Sequence, residues 1–221
     1  MMLKTLGLIH TSATLVPIFQ DLCKQYLPGV QVFNIVDDSL IKNVIRNGCL
    51  TPDTGRRVVD YVGSAEAAGA DYIMVTCSSI GAAVEASAPL TKVPVLRVDQ
   101  PMADKAIQLG STIGVIATLP TTLEPTTDLV KRRAAAAGKE VKIISRLCEG
   151  AFDALMSGDA AKHDAMVAAA LKDLSKQVDV IVLAQASMAR VVDNLDPADK
   201  QVPILASPTI AVQHLSTVLS Q

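Results

Sequence analysis

The chain lacks tryptophan, and aromatic residues make up only 3 % of its 221 positions. A hydrophobic share of 50 % still permits a sizeable core. That core must be built from Val, Ile, Leu and Ala, the usual filling of parallel sheets buried between helices. The four cysteines (Cys23, Cys49, Cys77, Cys148) have no CxxC spacing, and the three histidines (His10, His163, His214) are scattered. These counts argue against a disulfide scaffold or a zinc site and suit a reduced, cytoplasmic protein. No run of about 18 apolar residues occurs, so no membrane span is expected. The apolar start, Met1 to Phe19, is interrupted by His10, Thr11, Ser12 and Thr14; it reads as a first strand and not as a signal peptide. Basic and acidic residues number 20 and 22, and the longest basic run is Lys131-Arg132-Arg133. Nucleic-acid binding therefore has no basic patch to rest on, and no glycine-rich loop marks a nucleotide site.

What is present is an alternation of short apolar runs with helical spacing. Strands are expected at 3–10, 31–35, 72–75 and 93–98, and again at 112–117, 141–144, 180–183 and 202–206. Helices are expected at 15–26, from Pro52 after the N-cap Thr51 to about residue 68, at 82–88, 126–137 and 208–219. Another spans 151–176, broken near Gly158-Asp159. The segment from Asp37 to Ser39 opens a loop or short helix, and Thr118 to Thr122 reads as a polar loop.

The second half repeats the first. Asp71-Tyr-Ile-Met-Val-Thr-Cys77-Ser-Ser79 aligns without gaps on Asp179-Val-Ile-Val-Leu-Ala-Gln185-Ala-Ser187, an offset of 108 residues. Val93-Pro-Val-Leu96 aligns on Val202-Pro-Ile-Leu205 at 109, and Gly7-Leu-Ile-His-Thr11 on Gly114-Val-Ile-Ala-Thr118 at 107. Three segments at nearly one offset imply duplication. The expected fold class is α/β: two pseudo-symmetric lobes, each a mostly parallel sheet flanked by helices, with the active site in the cleft between them. The first lobe is expected to be 1–98 plus 208–221, and the second 99–207.

In such sheets ligands lie beyond the carboxyl ends of the strands. Cys77 ends the third strand, among hydroxyls and just before a helix, where backbone N–H groups suit a carboxylate or phosphate. The same setting is expected to draw its thiol from about 8.5 toward neutrality. A thiolate there can abstract an acidic α-proton, protonate a carbanion or add to an electron-poor double bond. Thr11, Ser12, Ser78 and Ser79 are the neighbouring candidates for binding a small carboxylate. Thr118, Gln185, Ser187 and Ser207 are the candidates in the second lobe. Ser78 and Ser79 also suit capping of the next helix. His10 ends the first strand and is the histidine placed to act as a second acid or base. Cys23 reads as core and Cys49 as loop.

The duplicated lobes resemble the aspartate/glutamate/hydantoin racemase superfamily, which includes maleate isomerases and arylmalonate decarboxylases. The resemblance spans nearly the whole chain. It is carried by Val75-Thr-Cys77-Ser-Ser79, Ile181-Val-Leu-Ala-Gln185-Ala-Ser-Met-Ala189 and Val202-Pro-Ile-Leu-Ala-Ser207-Pro208. It implies an enzyme without cofactor or metal, in which two cysteines, one per lobe, move a proton at the substrate carbon. The first of them corresponds to Cys77. The second corresponds to Gln185, which is neither acid nor base. Arylmalonate decarboxylases also keep one cysteine, but theirs lies in the second lobe. The expected activity is thus racemase-like on a small carboxylic acid. The alternatives are a single-cysteine decarboxylase, lyase or cis-trans isomerase, or a non-catalytic small-molecule binding protein on the same frame. An exposed helix face would also allow a homo-oligomer.

Overall fold

A computed structural model describes residues 3–219. In chain order the elements are β1 (Thr5–His10), α1 (Leu15–Tyr26), β2 (Gln31–Val36), α2 (Asp38–Asn47), α3 (Pro52–Ala67), β3 (Tyr72–Val75), α4 (Gly81–Ser87), β4 (Val95–Arg97) and α5 (Gln100–Leu109). There follow β5 (Thr112–Ala117), α6 (Pro120–Ala136), β6 (Lys142–Leu147), α7 (Ala151–Met156), α8 (Ala160–Leu174), β7 (Val180–Leu183), α9 (Ala189–Asp193), β8 (Ile204–Ala206) and α10 (Ser207–Leu219). The chain divides into two compact units, Met1–Gln100 with Pro208–Gln221, and Pro101–Ser207. Each unit holds one four-stranded parallel sheet, in the orders β2-β1-β3-β4 and β6-β5-β7-β8.

In the first unit the inner strands β1 and β3 are buried almost throughout, as near-continuous apolar runs should be, whereas edge strand β2 alternates toward solvent. Phe19 and Cys23 of α1 pack with Ala211, Val212 and Leu215 of α10 on one face. Leu40 and Val44 of α2, Val58 and Val62 of α3, and Val84 of α4 cover the other. Thr51 caps α3, its hydroxyl accepting from the Thr54 N–H, with Pro52 at the first helical position. Helix α2 is longer than a loop or single turn. Asp37 caps it by accepting from the Ser39 N–H, and the same carboxylate takes hydrogen bonds from Tyr61 Oη and Arg57 of α3. This pins α2 where it packs on the turn that follows Cys77.

The second unit repeats the plan. Val167, Leu171 and Leu174 of α8 and Val191 of α9 pack on Ile116, Ile181 and Leu183, while α6 packs against β5 and β6. The repeat's aspartates do one job twice, at the amino ends of the sheets. Asp71 Oδ2 accepts from the Thr5 N–H at 2.8 Å, and Asp179 Oδ2 accepts from the Ser111 and Thr112 N–H groups at 2.9 and 2.7 Å. Its glycines also match. A Cβ on Gly7 would meet Phe33 at 3.0 Å, and one on Gly114 would meet Leu174 at 2.8 Å. Two differences from the sequence reading stand out. Helix α6 begins at Pro120, so Thr121 and Thr122 lie in its first turn and not in a loop. Helix α5 was not anticipated; it buries Met102, Ala103, Ala106 and Ile107. No described helix is long and apolar enough to cross a membrane.

Candidate functional site

In the first unit β3 delivers Cys77 at its carboxyl end in extended backbone, φ −137° and ψ 120°. A single 3-10 turn, Ser78–Ile80, follows, and Gly81 then opens the seven-residue helix α4. The Thr11 hydroxyl, from the end of β1, donates to the Cys77 sulfur, as do the Ser79 hydroxyl and the backbone N–H groups of Ser79 and Ile80. Thr11, Ser78 and Ser79 are themselves buried, while Cys77 is half-buried. The structure thus brings four expected site residues together. The Ser12 hydroxyl is bonded to Thr14 Oγ1 at 2.8 Å.

One expectation is reversed. Burial pushes the Cys77 thiol above the ordinary thiol range, and this outweighs the opposing hydrogen bonds from Thr11, Ser79 and Ile80. Cys77 packs against the apolar cluster that includes Ile9, Val75, Ile80 and Val84. The backbone N–H groups at the sulfur belong to the 3-10 turn, and the seven-residue α4 begins only beyond it at Gly81. Cys77 therefore rests as a neutral thiol, a proton donor until something removes its proton.

His10 is corrected as a second acid or base. The ring is fully buried. Its Nδ1 lies 2.8 Å from Thr76 Oγ1 and its Nε2 2.9 Å from Asn34 Oδ1, and it packs on Phe19 with ring centroids 5.6 Å apart. Burial lowers its pKa, opposed in part by the Asn34 bond. Both nitrogens are spent inside the lobe, so His10 ties β1 to β2 and β3 as a neutral link.

In the second unit Gln185 occupies the matching station, with φ −133° and ψ 136° after β7 and a 3-10 turn beyond it. Thr118, the counterpart of Thr11, donates to Gln185 Oε1 twice: from its N–H at 2.6 Å and its hydroxyl at 3.0 Å. Because a backbone N–H can only donate, this fixes which amide atom is oxygen. Gln185 Nε2 has no hydrogen-bond partner among the described residues. Its two N–H donors are thus the groups this side chain can offer to a ligand. Ser187 is exposed in the turn, and Ser207 is buried at the start of α10.

Sequence reasoning missed the charged group behind the Cys77 turn. Arg97 of β4 is buried, with Nε and Nη2 donating to Asp99 Oδ1 and Oδ2 at 3.0 and 2.8 Å and Nη1 to Glu85 Oε1 at 2.6 Å. An arginine inside the apolar run Val95-Leu-Arg-Val98, with an acid two residues on, was the available signal. Among the described residues no group of three or more His, Cys, Asp or Glu is disposed to hold a metal ion.

Two duplicated parallel α/β units, each presenting one polar side chain at the carboxyl end of its third strand, define the racemase-type two-lobe class. The model of the Asp/Glu/Hydantoin racemase family matches residues 4–215, and the chain belongs to that family. No curated protein matches at a significant level. Among solved structures, glutamate racemase from Bacillus anthracis is 19 % identical with a TM-score of 0.73, covering 98 % of this chain and 82 % of that one. Aspartate racemase from Picrophilus torridus is 12 % identical with a TM-score of 0.73, over 98 % and 94 % of the two chains. Allantoin racemase from Klebsiella pneumoniae is 15 % identical with a TM-score of 0.68, over 98 % and 88 %. At these identities the likeness is one of fold.

Proposed function

We propose that this chain is a cofactor-independent enzyme that moves a proton at the carbon beside the carboxylate of a small carboxylic acid, with the Cys77 thiol as its acid/base. The observation that carries this is the sulfur itself. It is half-buried at the carboxyl end of a central strand and faces four hydrogen-bond donors, the Thr11 and Ser79 hydroxyls and the Ser79 and Ile80 N–H groups. Those donors stabilise a thiolate when the proton leaves, and the same thiol returns a proton to an enediolate. Ser78, Gln185, Ser187 and Ser207 are the proposed oxygen-binding groups, with Thr118 acting through Gln185, whose amide oxygen it anchors. Family membership and the glutamate, aspartate and allantoin racemases among its structural neighbours support a substrate of that size and type.

A second reading within this class is favoured by the locked Gln185 amide. Racemisation needs a donor on the face opposite the first base, and Gln185 offers only amide N–H groups while His10 is committed elsewhere. One thiol suffices where a carbanion forms by loss of another group. In a decarboxylation the C–C bond electrons remain on the α-carbon as CO2 departs. Cys77 then supplies the proton, and solvent reprotonates the thiolate. Incubation with a panel of amino, hydroxy and malonic acids in D2O tests both. The expected result is deuterium incorporation at the α-carbon by the wild type and none by Cys77→Ala. Exchange that survives in Cys77→Ala would sink the assignment. Release of CO2 with incorporation on one face marks the second reading.

A further inference from the structure

The Cys77 turn is held from behind by a buried charge cluster that the second lobe lacks. In the parallel register Arg97 lies opposite Val75, two residues before Cys77. Its guanidinium lies over Gly81, where the 3-10 turn passes into α4. A Cβ on Gly81 would fall 2.2 Å from Cζ, 2.4 Å from Nη2 and 2.5 Å from Nε. Only glycine lets the plane approach the backbone so closely. The guanidinium is itself immobilised by the two-point contact with Asp99, which is fully buried, and by Glu85 of α4. At the repeat-related positions stand Ala189 for Gly81, Ala206 for Arg97 and Pro208 for Asp99, so no matching charge cluster is repeated. A buried ion pair stabilises little compared with well-packed apolar residues, because desolvation offsets its attraction. Its restriction to the lobe that carries the thiol therefore points to placement of the turn and not to general stability.

We propose that Arg97, set by Asp99 and Glu85, is the positioning residue of the Cys77 turn: its guanidinium fills the space over Gly81 and fixes Ser78–Ile80 so that the Ser79 and Ile80 N–H groups converge on the Cys77 sulfur. The proposal rests on the reading of Cys77 as the working thiol, but its test needs no substrate. Iodoacetamide alkylation of native protein is followed by mass spectrometry of the Cys77 peptide across pH, for wild type, R97K, R97M/D99N and G81A. The double variant removes both members of the fully buried pair, so the one carboxylate it leaves without Arg97 is the part-exposed Glu85. R97K keeps the charge but loses the planar fork.

The three variants are expected to alkylate at Cys77 about fivefold more slowly at pH 8, a weakening short of the full loss of one hydrogen bond to the thiolate, with R97K least affected. Their pH midpoints move up, and the rate on the high-pH plateau is unchanged. The exchange-exposed control R133K, which alters the Arg133–Asp104 pair of the second lobe, leaves the Cys77 profile alone. A Cys77 rate within twofold of wild type, or faster, in soluble R97M/D99N or G81A overturns the proposal even if thermal stability falls. If the double variant does not fold, R97K and G81A decide by the same criterion. Absence of turnover with intact variant effects on alkylation would strike the catalytic reading and leave this one standing.

Discussion

Thr11→Val separates the two influences on Cys77, burial and hydrogen bonding. The Thr11 side chain is buried, so valine keeps the space filled and removes only the hydroxyl that donates to the sulfur. A hydrogen bond to a charged group contributes about 1.5–3 kcal/mol. Sulfur is a weak acceptor, so the lower figure applies, and about 1.4 kcal/mol corresponds to about tenfold in the thiolate fraction. The sign follows from which form is stabilised: the donor favours thiolate, so its loss raises the pKa. Since thiolate is the reactive species, alkylation of Cys77 at any pH below the midpoint slows by about tenfold, while the plateau at high pH is unchanged. Peptide-resolved alkylation between pH 7 and 11 reads this without interference from Cys49, the exposed cysteine. An unchanged midpoint, or one that moves down, would refute the claim that the Thr11 hydroxyl serves the thiolate.

Two further predictions follow from the other polar groups. Gln185→Glu keeps an acceptor for both Thr118 donors but replaces the amide N–H groups with negative charge; kcat/KM for a carboxylate substrate should fall by about 10- to 100-fold, the loss of one charge-assisted hydrogen bond, with Cys77 alkylation unaltered. An unchanged kcat/KM would remove Gln185 from substrate binding. The buried, neutral His10 has a lowered pKa, so the unfolded chain binds the extra proton and folding stability falls as pH drops below about 6.5. His10→Gln should start from lower stability and lose that part of the slope between pH 7.5 and 5.5 in thermal melts. A slope identical to wild type would contradict the assignment.

The architecture was legible because it rests on local signals. Tyr72 to Val75 and Val180 to Leu183 are apolar runs too short for helices and too continuous for a half-exposed strand, and both are buried inner strands. The duplication exposed the paired stations of Cys77 and Gln185 before any coordinates, because the βα units keep one offset. What stayed hidden depends on contacts across the sheet. The sign of the Cys77 shift comes from burial, and the cluster against which the thiol packs is assembled from residues as distant in sequence as Ile9, Leu40 and Val58. His10 reads as a free acid/base until Asn34 and Thr76 are seen to occupy both its nitrogens. Arg97 meets Glu85 and Gly81 only through the β3–β4 crossover. Helix α5 was obscured because Gln100-Pro101 breaks the apolar pattern where the helix begins.

The two lobes show how a duplicated frame changes chemistry without changing shape. A threonine at the end of the first strand of each sheet donates its hydroxyl to the side chain that ends the third: Thr11 to the Cys77 sulfur, Thr118 to the Gln185 carbonyl oxygen. The amide oxygen thus takes the hydrogen bonds that a thiolate would take, and the backbone angles of the two stations nearly coincide. What differs is the remaining face. Cys77 presents a proton that can be transferred, whereas Gln185 presents N–H groups that can only be donated in hydrogen bonds. The substitution therefore exchanges an acid/base for a binding group while leaving its anchor intact, and the demand for a precisely held reactive atom falls on one lobe. That is the lobe in which Arg97 and Asp99 are buried behind the turn, and the repeat-related positions hold only Ala206 and Pro208.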